Sequence, residues 1–248
     1  MDLHLFPVSG IPEIAPGDDL GAVIAAAALR SGRGAETGDV FVVAQKIVSK
    51  AEGAMVRLDE IAPSATASRW AAETGKDARM VEVILREARR IVRMDRGILI
   101  AETRHGFVCA NAGVDGSNVA PGFVTVLPAD PDASAERLRL QLAAAFGCSL
   151  GVIVSDTFGR PWREGVVNVA LGVAGLQPLL DYRGCADSYG RPLTSTVIAL
   201  ADELASASEL VTRKCAGTPV AVVRGAGEWA GNGTGRLLVR DPARDLFR

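Results

Sequence analysis

Gly151-Val152-Ile153-Val154-Ser155-Asp156-Thr157-Phe158-Gly159-Arg160-Pro161-Trp162-Arg163 is the stretch from which the rest of the chain can be read. Its first residues form a short apolar run rich in β-branched side chains, the composition of a buried strand. Acid, hydroxyl, glycine and guanidinium groups follow at once. Two more runs of the same kind, residues 39–44 (DVFVVA) and 219–223 (PVAVV), predict further buried strands. Between them the period changes. Residues 18–30 read as a helix with Asp18 or Asp19 as N-cap and Gly32 just past its end. Residues 67–92 space Val81, Ile84, Leu85, Ala88, Ile91 and Val92 three and four apart, predicting one long amphipathic helix with a break at Gly75. A helix capped by Ser134, apolar along Leu138, Leu142 and Ala145, is expected to stop at Gly147. Residues 97–102 and 106–110 read as a hairpin, and 195–213 as a last helix. The class is α+β with mixed sheets, and the element order does not dictate a simple parallel sheet. Residues 155–193 read as loop-rich, holding many Gly and Arg; loops that long are usually functional.

Composition excludes several partners. The chain has 248 residues, 48% hydrophobic, with 27 Lys+Arg against 29 Asp+Glu. That allows one large domain or two small ones. The near-neutral charge argues against nucleic acid as a partner, which would need clustered cations to displace phosphate counterions. The longest apolar run, residues 22–29, is far short of the ~20 residues that span a bilayer. No basic region followed by an apolar stretch opens the chain, so no membrane association and a cytoplasmic address are expected. Cys109, Cys148, Cys185 and Cys215 form no CxxC pair and read as reduced, mostly buried thiols. Only His4 and His105 are present, which leaves any chemistry to carboxylates, Lys/Arg and backbone groups.

The standard nucleotide fingerprints are missing. The one Gly-Lys pair, Gly75-Lys76, is followed by Asp77, and Gly32-Arg33-Gly34 has no glycine at position 37, which disfavours a P-loop or a Rossmann site. Gly231-Asn232-Gly233-Thr234-Gly235 reads as a mobile tail loop. Three segments remain. In Ala112-Gly113-Val114-Asp115-Gly116-Ser117-Asn118 a carboxylate sits between glycines that let a ligand approach the backbone; a plain turn has the same chemistry. Asp156 and Thr157, expected at a strand's end, offer hard oxygens suited to Mg²⁺ or Mn²⁺. Arg160 and Arg163 behind them have the spacing of a phosphate or carboxylate clamp; a capped turn among surface arginines is the alternative. In Gln45-Lys46-Ile47-Val48-Ser49-Lys50 two lysines four apart share a helix face, either to meet anionic oxygens or as a solvated turn. Acidic metal-site candidates with several cations and no acid/base histidine outline a phosphoryl-transfer enzyme.

These segments, in this order, resemble the coenzyme F420-0:L-glutamate ligase family. The likeness runs from Leu5-Phe6-Pro7-Val8, Gly10-Ile11-Pro12-Glu13 and Pro16-Gly17-Asp18-Asp19 through Gln45–Gly53, Ala112–Asn118 and Asp156–Arg163. It continues in Asp181-Tyr182-Arg183-Gly184, Asp187-Ser188-Tyr189-Gly190, Pro219–Gly225 and the closing Asp245-Leu246-Phe247-Arg248. The resemblance implies GTP-dependent addition of L-glutamate, one or more and γ-linked, to F420-0 through an acyl phosphate. It also implies Mg²⁺ or Mn²⁺ in a two-metal site, K⁺, and an unusual ligase-specific fold in an intertwined homodimer. Asp115 and Asp156 match metal-binding aspartates and Thr157 a ligand of a second metal. Asn118, Gln45, Lys50 and the backbone of Ile11-Pro12-Glu13-Ile14 match guanine-nucleotide contacts. Many relatives carry Ser at position 45; a backbone contact survives that difference, a hydroxyl-specific one does not. The roles expected of Asp115, Asp156, Lys50, Arg160 and Arg163 are catalytic. Some bacterial relatives continue into a fused flavin-binding reductase domain. A single ligase unit over residues 1–248, with room for two subdomains and no fused reductase, is therefore expected. A ligase for another carboxylic acid and a non-catalytic nucleotide- or metal-binding homologue are the alternatives.

Overall fold

The computed structural model describes residues 2–245, so Leu246, Phe247 and Arg248 of the closing motif lie outside the described residues. In chain order the elements are β1 (His4–Pro7), α1 (Leu20–Arg30), β2 (Val40–Ala44), α2 (Gln45–Ala51), β3 (Met55–Arg57), α3 (Ala65–Thr74), α4 (Ala78–Glu87), β4 (Ala88–Asp95) and β5 (Ile98–Thr103). There follow β6 (Val108–Ala110), β7 (Phe123–Thr125), α5 (Pro131–Phe146), β8 (Gly151–Gly159), β9 (Val166–Ala174), β10 (Leu180–Asp181), β11 (Val197–Ile198), α6 (Leu200–Thr212) and β12 (Val220–Arg224). The main sheet has the order β1-β12-β2-β8-β9. Only β2 and β8 are parallel; the other neighbours are antiparallel. The mixed α+β class holds.

The three apolar runs are the three central strands because helices cover both faces of the sheet. Phe41, Val43, Val152 and Val154 face a core shared with Ile24 of α1 and Leu138 and Leu142 of α5. Val40, Val42 and Ile153 face the opposite core, with Leu200 and Leu204 of α6. Burying each such side chain contributes about 1.5–3 kcal/mol. At one end of the central strands Arg224 donates from Nη2 to the Asp39 carboxylate (2.8 Å) and to the Gly34 carbonyl (2.7 Å). Asp39 is 1% exposed, so loss of the guanidinium would strand a buried charge, at a cost of about 3–5 kcal/mol.

The connection from β2 to β8 carries a second layer. The β4-β5-β6 sheet packs with α3 and α4 around Ile84, Leu99, Ala101 and Val114. The hairpin expected at 97–110 is β5 and β6. The long helix expected at 67–92 is instead two helices and a strand. Ser64 caps α3 and Gly75 ends it in the left-handed region (φ +70°); Asp77 then caps α4. After Glu87 the chain enters β4, where Ala88, Ile91 and Met94 point inward. Register shifts between Ala88 and Arg90 and between Ile91 and Arg93 give this strand an inward residue every third position. Two bulges thus imitate a helical period.

Other boundaries moved for local reasons. Asp130 rather than Ser134 caps α5, accepting from the Ala133 amide at 3.0 Å. Ser134 is buried, with its hydroxyl 2.6 Å from Glu52 Oε1; Ala145 is exposed, and Gly147 ends the helix as expected. Asp19 caps α1. Helix α6 begins only at Leu200, because 197–198 pairs with β10. Much of the loop expected at 155–193 is the β8–β9 hairpin. The glycine-rich tail is not a free loop. A Cβ at Gly231, Gly233 or Gly235 would overlap Gln177, Pro178 or the Leu171 carbonyl, and the Gly235 amide donates to Asp132 Oδ1 at 2.6 Å. The cysteines are free thiols, but only Cys109 is buried, with Cys185 and Cys215 exposed. Among the described residues no helix is long and apolar enough to cross a membrane.

Helix α5 meets β9 at Gly172, where a Cβ would overlap the Pro131 carbonyl. Gly172→Ala should therefore lower stability by about 1–3 kcal/mol or more, the usual cost of forcing atoms into a packed contact. Denaturant unfolding checks this; an unchanged midpoint would show that the helix can slide on the sheet.

Candidate active site

Parallel pairing between β2 and β8 ends at Ala44 and Ser155. At that point β2 turns into α2, while β8 runs on, paired with β9 alone. The divergence opens a cleft of about 460 Å³ at the end of the sheet, the place where ligands enter open α/β sheets. Asp156 and Thr157, expected at a strand's end, sit instead inside β8, opposite Val169 and Asn168. They lie just beyond the parallel ladder, which is why they face the cleft.

Four walls close the site, and most of the residues singled out above line them. Ile11, Pro12, Glu13 and Ile14 form one side. Helix α2 supplies Gln45, Lys46 and Lys50. Gln45 is 2% exposed and its Oε1 lies 2.9 Å from the Ser49 hydroxyl. Lys50, with a side chain 5% exposed, is ion-paired to Glu13, whose side chain is 82% exposed. The third wall is a strap across the cleft bearing Asp115 and Asn118. Backbone hydrogen bonds with Thr125 of β7 (2.9 and 3.1 Å) anchor it. Its approach bends through Asn111, Ala112 and Gly113, all at positive φ, and Ala112 is 1% exposed. Non-glycine residues in this region are uncommon and collect at functional sites.

Both oxygens of Asp115 have hydrogen-bond partners. Lys46 Nζ lies 2.5 Å from its Oδ2, and the Ser117 amide and hydroxyl each donate to it at 2.7 Å. Burial pushes this carboxyl up, but those hydrogen bonds outweigh it and hold the group below the ordinary carboxylate range. Asp156 goes the other way. Burial first, then the nearby Asp115 charge, push it up to about 6 despite the Thr157 amide and the more distant Lys214 and Lys46. Among the described residues no ion pair within 4.0 Å compensates Asp156. A buried carboxylate of this kind calls for a cation.

The donor set answers to a hard ion. Asp115, Asp156 and Thr157 offer oxygen only, and two carboxylates with substrate phosphate oxygens are the usual complement of Mg²⁺. Among the described residues no group of three or more His, Cys, Asp or Glu side chains is placed to cage a metal by itself.

The fourth wall was not visible in the sequence. Thr157 Oγ1 is 2.9 Å from Asn168 Oδ1 of β9, and Asn168 Nδ2 is 3.3 Å from Glu209 of α6. Lys214, just past α6, reaches Thr157 Oγ1 at 3.1 Å. These residues stand 11 to 57 positions from Thr157, and only strand pairing and helix packing bring them in. A polar side chain on an otherwise apolar strand was the one available signal for Asn168. Arg160 and Arg163, in contrast, sit at the tip of the β8–β9 hairpin outside the cleft lining. Arg160 donates to the Glu164 carbonyl at 2.6 Å.

Comparison with known proteins identifies the family. The profile of the F420-0:gamma-glutamyl ligase family matches residues 10–225. A protein of Methanopyrus kandleri called coenzyme F420:L-glutamate ligase is 50% identical over 251 residues, covering 99% of this chain and 98% of its own. The protein of that name from Methanothermobacter thermautotrophicus is 47% identical over the full length of both chains. That of Methanocaldococcus jannaschii is 46% identical over 86% of each. The chain belongs to the F420-0:gamma-glutamyl ligase family.

Proposed function

We propose that this chain joins L-glutamate to the terminal carboxylate of F420-0 at the expense of GTP, activating that carboxylate as an acyl phosphate. The observation that carries the reading is the paired acidic centre, Asp115 and Asp156, flanked by lysines in a cleft at the end of the sheet. Family membership supports the ligation itself.

The chemistry follows from the electrophile. A carboxylate resists attack by an amine because its negative charge is delocalised and oxide is a poor leaving group. Transfer of the GTP γ-phosphoryl to a carboxylate oxygen breaks the bond to the β-phosphate oxygen and gives GDP and an acyl phosphate. The glutamate amine then attacks the acyl carbon, loses a proton, and expels inorganic phosphate as the amide forms. Such transfer is governed by positioning and charge neutralisation. In this reading the Ile11–Ile14 backbone, Gln45 and Asn118 hold the guanine nucleotide. Lys50 neutralises a phosphate oxygen, exchanging Glu13, which is largely in water, for the nucleotide. Lys46 fixes the Asp115 carboxylate and adds positive charge beside the phosphates. Asp115 and Asp156 would hold Mg²⁺ or Mn²⁺, which when bound supplies charge stabilisation to the transferring phosphoryl group. Further γ-linked glutamates would join by the same steps, since each product again ends in a carboxylate.

Purified protein incubated with F420-0, L-glutamate, GTP and Mn²⁺ should yield acceptor heavier by whole glutamate residues in mass spectrometry. Acceptor unchanged under these conditions, while another carboxylic acid is elongated, would transfer the reading to a different substrate. Asp156→Asn should lower turnover at least about a hundredfold, in the range seen when a charge-stabilising group is removed. Its melting temperature should stay level or rise, because a buried carboxylate without a partner is lost. Near-normal ligation by this variant would remove Asp156 from the mechanism.

A further inference from the structure

We infer that Lys214 stands in place of a second metal ion: one divalent cation serves the Asp115–Asp156 side of the cleft, and the Lys214 ammonium is the fixed cation on the Thr157 side. This rests on the proposed reading of the cleft as a phosphoryl-transfer site and departs from the two-metal centre that the family resemblance implies.

Three observations carry it. The first is the state of the Thr157 hydroxyl. Its proton points to Asn168 Oδ1 at 2.9 Å, and Glu209 Oε2 accepts from Asn168 Nδ2 at 3.3 Å, holding that amide in place. The hydroxyl can then offer only lone pairs to the cleft, and Lys214 Nζ takes one at 3.1 Å. A divalent ion on the same oxygen would sit about 2.0–2.6 Å away, beside a like charge.

The second observation is that Lys214 is held there by its turn. Arg213 adopts positive φ (+50°) at the end of α6, and its amide donates to Glu209 O at 3.0 Å. The Ala216 amide donates to Arg213 O at 3.0 Å, and Thr218 Oγ1 donates to Thr212 O at 2.5 Å. The chain leaving α6 is thus folded back across the cleft mouth. The third is the charge inventory. The Asp115 and Asp156 carboxylates carry two negative charges when ionised, which one divalent ion balances. Lys46 stays with Asp115 and Ser117, and the Lys214 ammonium is left for phosphate oxygens. On the Thr157 side Glu209 Oε2 is engaged in holding Asn168 at 3.3 Å, and the Lys214 ammonium already supplies positive charge at the Thr157 hydroxyl.

Manganese anomalous scattering from crystals grown with Mn²⁺ and GDP counts and places the ions. Wild-type protein should show one Mn²⁺ per chain, at Asp115 and Asp156. Lys214→Glu, a change at an exposed position, should show two, the added one beside Thr157. Two ions in the wild type, or a single ion in Lys214→Glu, would overturn the assignment to Lys214. An absence of Mn²⁺ from the wild-type cleft would instead sink the metal reading of the whole site, a failure distinct from the other two.

Discussion

Asp156 is the group around which this molecule is arranged. Its carboxyl lies on a strand buried from both faces, beside a second carboxylate, and is pushed up to about 6 by that burial and by its neighbour. The protein tolerates this because its cations stand near without pairing directly with it. Lys46 is committed to Asp115 and Lys214 to Thr157. A carboxylate held so, with its proton affinity raised by burial and a like charge, gains most when a cation arrives. Sites that bind charge tightly are built by withholding the internal partner that would otherwise satisfy it.

The fold explains how such a group reaches a cleft. The end of the parallel ladder at Ala44 and Ser155 is a topological event. One strand becomes α2 and carries its lysines away, while the other continues and turns its polar residues to the opening. The insertion between β2 and β8 then returns Asp115 over the gap on a strap anchored to β7. Three regions far apart in sequence thereby share one cavity. The Lys46–Asp115 contact fastens the inserted layer to the main sheet at the cleft.

The parts legible in the sequence were those encoded by neighbours in the chain. The apolar runs became the central strands, since composition alone marks a strand covered on both faces. Asp115, Asp156, Lys50 and Asn118 stood out because glycine or charge surrounds them locally, and they do line the cleft. Residues 88–95 misled because two bulges space their inward side chains like those of a helix. Ser134 was mistaken for a cap because its buried hydroxyl serves Glu52, 82 residues away. The tail glycines signalled freedom but are there because backbone and proline press against them. Glu209 and Lys214 were silent, and Asn168 offered only a polar side chain on an otherwise apolar strand. Each is an ordinary polar residue until pairing and packing bring it to Thr157.

The central claim is that this cleft activates a carboxylate by transferring a phosphoryl group to it. F420-0 labelled with ¹⁸O in its terminal carboxylate tests that most directly, with the released phosphate analysed by mass spectrometry. The account predicts one ¹⁸O atom delivered to inorganic phosphate for each F420-0 that receives its first glutamate, carried there through the acyl phosphate. Phosphate free of label, with both ¹⁸O atoms otherwise accounted for, would contradict it.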